Sequence, residues 1–136
     1  TESYAKRLGL PLVVIDKRRG QDGRLRIHGV IGEVEGRDVI FFDDEVITGT
    51  AILEGAAAVR ERGAARVYAG CVHGSLASET VKRLAESALE SVAITDTIPL
   101  APDRRTPKIR ICSVAPLFAS AIRAIHDETS ISALFH

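Results

Sequence analysis

Residues 39–59 read VIFFDDEVITGTAILEGAAAV. The stretch opens as a short apolar run, Val39 to Phe42, closed by two adjacent carboxylates, Asp43 and Asp44. From Ile52 onward, apolar residues recur at helical spacing (Ile52, Leu53, Ala56, Val59) until Gly63 stops them. The segment is therefore a strand, a turn carrying Thr48-Gly49-Thr50, and a helix. That order is one step of a strand–helix–strand unit.

The step repeats along the chain. RVYAGCV (66–72) is strand-like, and Val81, Leu84, Ala85, Ala88 and Leu89 then share one face at helical spacing. VAITD (92–96) follows as a strand, a loop over 97–108 carries three prolines, and KIRICSV (108–114) is the last strand. Leu117, Phe118, Ala121, Ile122 and Ile125 stripe a final helix. Upstream, PLVVID (11–16) reads as a buried strand and KRRGQDGRLR (17–26) as a polar, glycine-containing mobile loop. IHGVIGEV (27–34) reads as a second strand, with VEGRD (34–38) as the turn before residue 39. Short apolar strands alternating with helices predict an α/β domain over 1–136, with a mainly parallel sheet and helices on both faces. Ligands of such sheets bind at the carboxyl ends of the strands, where Asp43, Asp44, His73 and Asp96 fall.

The 136 residues are 46% apolar and 26% charged, the composition of a folded globular domain. Eighteen basic residues balance eighteen acidic ones, which argues against a broad basic field for nucleic acid. No apolar run approaches the roughly 20 residues of a membrane span, and TESYAKRLGL (1–10) lacks the apolar core of a signal peptide. A cytoplasmic setting is expected. Cys71 and Cys112 both sit in apolar stretches without CxxC spacing and read as buried strand residues. TESYAKRLGL also reads as the last turns of a helix, with Tyr4 and Leu8 on one face and Gly9 as terminator. That suggests a fragment beginning inside an element.

The turn after the first of these strands carries chemistry. Backbone N–H groups around Thr48–Ala51 are the unpaired donors of a helix N-terminus, which suits a phosphate. The Thr48 and Thr50 hydroxyls add donors, and Gly49 permits close backbone approach. The upstream Asp43 and Asp44 suit polyol hydroxyls or a metal-bound part of a ligand. A sugar phosphate fits both halves. The plainer reading is that the acidic pair ends a strand while Thr48 or Thr50 caps a helix. The turn has neither the Gly-Lys-Thr of a Walker loop nor the GxGxxG of a dinucleotide fold.

Apolar strand, Asp-Asp, then Thr-Gly resembles the phosphoribosyl-pyrophosphate (PRPP) loop of type I phosphoribosyltransferases and of ribose-phosphate diphosphokinases, the PRPP synthetases. VVIDKRR (13–19), RVYAGCVHGSLAS (66–78), ESALESVAITDTIPL (86–100), KIRICSVAPLFASAIRAIH (108–126) and SISALF (130–135) are similar, in the same order, to the C-terminal half of PRPP synthetases. The resemblance covers essentially the whole chain. It implies the second of two tandem phosphoribosyltransferase-like domains. It also implies transfer of the β,γ-diphosphoryl group of ATP to the anomeric hydroxyl of ribose 5-phosphate, with Mg²⁺ as cofactor, in a homo-oligomer.

Carried over residue by residue, the resemblance assigns Asp43 and Asp44 to the ribose hydroxyls. Ile47, Thr48, Gly49, Thr50 and Ala51 go to the 5-phosphate. Lys17 and Arg19, on a mobile loop, go to the transferring diphosphoryl group. Lys17, Arg18 and Arg19 also read simply as a solvated basic turn. His73 matches a Thr-His-Gly-like stretch and reads as structural. His28 and His126 read as ordinary strand and helix residues. Ser130 and Ser132 lie where the family places part of an allosteric site, or they cap a last turn.

Three positions depart from the commonest form of the loop: Ile47 stands where a third Asp is usual, and Thr50-Ala51 where Gly-Thr is usual. The family's N-terminal half, which supplies ATP-binding residues, a metal-binding His and Asp, and the pyrophosphate loop, has no counterpart in these residues. A companion N-terminal domain or chain is therefore an expected partner. The alternative is a non-catalytic, PRPP-synthetase-associated regulatory domain. An ordinary phosphoribosyltransferase is disfavoured because nothing resembles a base-recognition hood.

Overall fold

The computed structural model describes residues 2–19 and 25–135, without the side chains of Arg19, Leu25 and Arg26. Helix α1 (Glu2–Leu8) ends as expected at Gly9, whose φ of 62° only glycine adopts without strain. The Gly9 amide donates to the Lys6 carbonyl and the Leu10 amide to that of Ala5, the paired bonds of a Schellman stop. Tyr4 stacks on Phe42 with ring centroids 4.3 Å apart, laying the helix against one face of the sheet.

Strands β1 (Val14–Arg19) and β2 (Leu25–Ile31) pair antiparallel as a ribbon separate from the main sheet. This corrects three expectations. The first strand begins at Val14 and not at Pro11. Val14 is exposed, because a ribbon lying on the domain surface covers only one of its faces. Lys17, Arg18, Arg19, Leu25 and Arg26, expected in a loop, continue the ladder, since backbone pairing is indifferent to their charged side chains. The expected mobility of residues 20–24 concerns a segment outside the described residues.

Strands β3 (Asp38–Val46), β4 (Arg66–Gly74), β5 (Ser91–Thr95) and β6 (Ile109–Cys112) form a parallel sheet in chain order. Phe41 pairs with Ala69, and Asp43 with Cys71. Helix α2 (Thr50–Glu61) joins β3 to β4, and α3 (Ser78–Glu86) joins β4 to β5. Their buried faces, Ile52, Ala56 and Val59, then Val81 and Leu84, close a core with Val67, Ala69, Val92 and Ile94. Fully burying an aliphatic side chain of this size stabilises by roughly 1.5–3 kcal/mol. Helix α3 stops at Glu86, so Ala88 and Leu89 lie beyond it, although Leu89 is still buried.

Helix α4 (Ala115–His126) forms over the expected stripe but buries none of its residues. Leu117, Phe118, Ile122 and Ile125 are all exposed. Cys71 is buried as expected and Cys112 is not, because it ends the edge strand β6, most of which is exposed. Among the described residues, no helix is long and apolar enough to cross a membrane.

The ribbon reaches the sheet through a glycine. A Cβ on Gly55 would stand 2.9 Å from Phe41 Cε1 and 3.1 Å from Ile15 Cδ1, so its absence lets β1 and β3 approach α2. The Arg62 guanidinium donates to the Val30 carbonyl at 2.7 Å and pins the second ribbon strand. Replacing Gly55 with Ala should therefore lower the urea-unfolding free energy by about 1–3 kcal/mol through overpacking. In an uncrowded helix interior the same change gains about 1 kcal/mol, so an unchanged or raised midpoint would contradict this packing.

Candidate functional site

Strand β3 carries Asp43 and Asp44 to within a few residues of its carboxyl end, and the chain then turns at Ile47–Gly49 into α2. Gly49 occupies the N-cap position with φ 66° and ψ 2°. Its carbonyl accepts from the Leu53 amide, the first bond of the helix. No side chain caps α2, so the plainer expectation of a Thr48 or Thr50 cap is not met. The Thr48 hydroxyl instead accepts a long contact, 3.5 Å, from the Thr50 amide.

Asp43, Glu45, Ile47, Thr48, Gly49, Thr50 and Ala51 line one open cleft of about 210 Å³ at this strand-to-helix junction. Asp44 is not among its lining residues. Residues two apart on a strand share a face, so Glu45 joins Asp43 on the cleft side, while Asp44 stands beside Asp43 and donates its amide to the Asp43 carboxylate at 3.0 Å. Glu45 was missed from sequence, although its spacing of two from Asp43 is the signal that finds it. The Ile47 side chain is 55% exposed.

Asp43 also lies near Cys71, its partner in the ladder. Burial first, and then the Asp43 charge, push the Cys71 thiol up to about 11, so it is an inert core residue at neutral pH. A hydrogen bond with the Asp43 side chain, followed by backbone N–H groups, holds the Asp44 carboxyl below the ordinary aspartate range. A smaller contribution comes from His73. The His73 ring is itself tied by Nδ1 to the Thr97 hydroxyl at 3.0 Å, and Thr95 and Thr97 bond back to the Val72 carbonyl. His28 is exposed on β2, and His126 pairs with Asp127. Asp96, just after β5, accepts from the Val114 amide at 2.8 Å ahead of α4. Ser130 accepts from the Ser132 amide, the local turn contact expected of a cap.

The ribbon brings Lys17 to the same junction. Its ammonium donates to the Ala51 carbonyl at 3.4 Å, across 34 positions of sequence. Arg18 points elsewhere, onto Asp16 at 3.1 Å. Arg19 ends β1 and its side chain lies outside the described residues. Two residues of α3, which sequence reading did not connect to the turn, make three hydrogen bonds with it. The Thr80 hydroxyl donates to the Ile47 carbonyl at 2.9 Å. The Arg83 guanidinium donates to the Thr48 carbonyl at 3.1 Å and to the Thr50 hydroxyl at 3.3 Å. No local pattern announces a bond across more than thirty residues. Chemically, the junction offers two carboxylates, a bend of backbone donors and two hydroxyls around one small cleft, with the Lys17 cation beside it on the Ala51 carbonyl.

Residues 21–136 match the family described as phosphoribosyl synthetase-associated domain. A ribose-phosphate pyrophosphokinase of Caldanaerobacter subterraneus subsp. tengcongensis is 42% identical over 132 residues, covering 97% of this chain and 42% of that protein. One from Clostridium acetobutylicum is 39% identical over 135 residues, covering 99% and 42%. The crystal structure of phosphoribosylpyrophosphate synthetase from Mycobacterium smegmatis superposes with a TM-score of 0.83 at 37% identity, covering 93% of this chain and 41% of that one. The chain thus spans about two fifths of the length of the proteins it matches.

Two measurements check this geometry. Replacing Gly49 with Ala forces a Cβ onto a positive φ, so unfolding should become easier by about 1–2 kcal/mol in urea. Unaltered stability would mean the turn adopts another conformation. Acid stability follows from the depressed carboxyls. Asp38, Asp44 and Asp96 titrate below the ordinary aspartate value when folded, Asp38 through the Arg66 guanidinium and Asp96 through the Ser113 hydroxyl and then the Val114 amide. The stability they contribute is complete above that ordinary value and is lost as pH falls through their lower folded values. The thermal midpoint should hold level down to about pH 5 and decline below it, and Asp96→Asn should flatten the decline. An acid limb identical in the variant would contradict the role given to Asp96.

Proposed function

The chain belongs to the phosphoribosyl synthetase-associated family, and from that premise we propose that it is the ribose 5-phosphate-binding half of a ribose-phosphate diphosphokinase. The observation that carries this reading is the single cleft at the end of β3, where Asp43 meets the Thr48–Ala51 turn while the ribbon holds Lys17 against Ala51. The amides and hydroxyls of Thr48–Ala51 take the 5-phosphate, and Asp43, with Asp44 beside it, takes ribose hydroxyls. The anomeric hydroxyl oxygen forms a bond to the β-phosphorus of ATP and loses its proton to water, the bond from that phosphorus to the AMP oxygen breaks, and AMP leaves. Negative charge spreads over the phosphoryl oxygens in flight, and Lys17, with Arg19, supplies the cations that stabilise it.

Among the described residues, no group of three His, Cys, Asp or Glu stands ready to hold a metal. Mg²⁺ would therefore come to the site on the ATP phosphates, with no more than one or two carboxylates from this chain, and would neutralise phosphate charge there. ATP-binding residues come from an N-terminal domain or companion chain, and the exposed apolar stripe of α4 offers such a partner, or a second copy, a surface to cover. One observation favours a second reading. Ile47, 55% exposed in the cleft, puts an apolar side chain where a third Asp is usual in the family, as expected of a non-catalytic regulatory member.

The test is AMP release from ATP, Mg²⁺ and ribose 5-phosphate, measured with and without the N-terminal part of a relative. AMP should appear only with the companion. No AMP in either case, with ribose 5-phosphate still bound, would select the regulatory reading. In the active mixture, Lys17→Ala should lower turnover by orders of magnitude and leave sugar binding nearly unchanged. An equal loss of ribose 5-phosphate affinity would overturn the role of Lys17.

A further inference from the structure

Helix α3 grips the turn through two successive carbonyl groups. Thr80 is the one buried polar side chain of the described core, 4% exposed, and its hydroxyl is spent on the Ile47 carbonyl. Arg83, in the last turn of the same helix, holds the Thr48 carbonyl and the Thr50 hydroxyl. A trans peptide is planar, with its C=O and N–H pointing in opposite directions. Drawing the Ile47 and Thr48 carbonyls toward α3 therefore turns the amides of Thr48 and Gly49 away from α3. Among the described residues neither amide meets a protein acceptor. Two adjacent outward amides form an anion-binding nest. The guanidinium has no lone pair to offer, so Thr50 Oγ1 accepts from it and keeps its own proton for a ligand oxygen.

We propose that Arg83 is the positioning residue of the cleft, aiming the Thr48 and Gly49 amides and the Thr50 hydroxyl at the phosphate of the bound sugar phosphate. The inference rests on the ribose 5-phosphate reading for its ligand, but the orientation of the turn is testable without one. Arg83 acts from outside the cleft, on the far side of the peptide planes, and does not itself contact the ligand. A lysine there reaches one acceptor at a time and restores only part of the arrangement.

The test compares the chain with Arg83→Gln, Arg83→Lys and Lys82→Gln, the last removing an exposed charge one residue away. Two quantities are read: the calorimetric Kd for ribose 5-phosphate, and the ligand-free heteronuclear NOE of the Thr48, Gly49 and Thr50 amides. In Arg83→Gln the NOE values should fall and the Kd rise at least tenfold, with the melting temperature within a few degrees of the native chain. Arg83→Lys should recover part of both, and Lys82→Gln should match the native chain in both. Native NOE values in Arg83→Gln, or lowered ones with undiminished affinity, would overturn the proposal. If the native chain binds no ribose 5-phosphate, the functional reading falls. The NOE comparison then still decides whether Arg83 orients the turn.

Discussion

The peptide groups between Ile47 and Thr50 can face only one way at a time, and the carbonyl bonds to Thr80 and Arg83 decide which. Much else at the junction follows from that choice. The chain must leave β3 and enter α2 within a few residues, and Gly49 supplies the positive φ that makes the bend. With the carbonyls turned toward α3, the cleft side keeps the donors, which are the partners an anion needs and which water alone otherwise satisfies. The carboxylate of Asp43 lines the same cleft, and a carboxylate repels phosphate and accepts from hydroxyls. Backbone donors and a side-chain acceptor thus stand around one cleft before any ligand arrives.

The ribbon adds the cation. Gly55 leaves room for Ile15 and Phe41 on α2, and that contact sets β1 at the height where Lys17 reaches the Ala51 carbonyl. Parallel sheet, ribbon and α3 therefore converge on the five residues Ile47 to Ala51. Gly55 lies one helical turn beyond Ala51 and does not line the cleft, so a change there would reach the site through the placement of Lys17.

How much of this the sequence disclosed follows from the range of each signal. The helical spacing of Ile52, Leu53, Ala56 and Val59 and the apolar runs at residues 39–42, 66–72 and 92–94 are local patterns, and the elements stand where those patterns put them. Gly9 and Gly63 stop their helices with positive φ for an equally local reason. Periodicity names a face but not what covers it. PLVVID reads as a core strand, but only Val14–Asp16 of it are strand and they lie in a surface ribbon, and Cys112 reads as buried but ends an edge strand. In the site, Asp43 and the Thr48–Ala51 turn are legible as a group, because they lie within nine consecutive residues. The separation of Asp44 from the cleft follows from strand alternation running two residues further than the apolar pattern marked. The contacts of Lys17, Thr80 and Arg83 span more than thirty residues and needed the fold.

Amide chemical shifts of the isotope-labelled chain during a ribose 5-phosphate titration test the central claim most directly. Saturable shifts concentrated at Thr48, Gly49, Thr50 and Ala51, with a smaller response at Asp43, are the predicted result. No saturable shifts, or shifts centred elsewhere on the fold, would contradict a ribose 5-phosphate site at the end of β3.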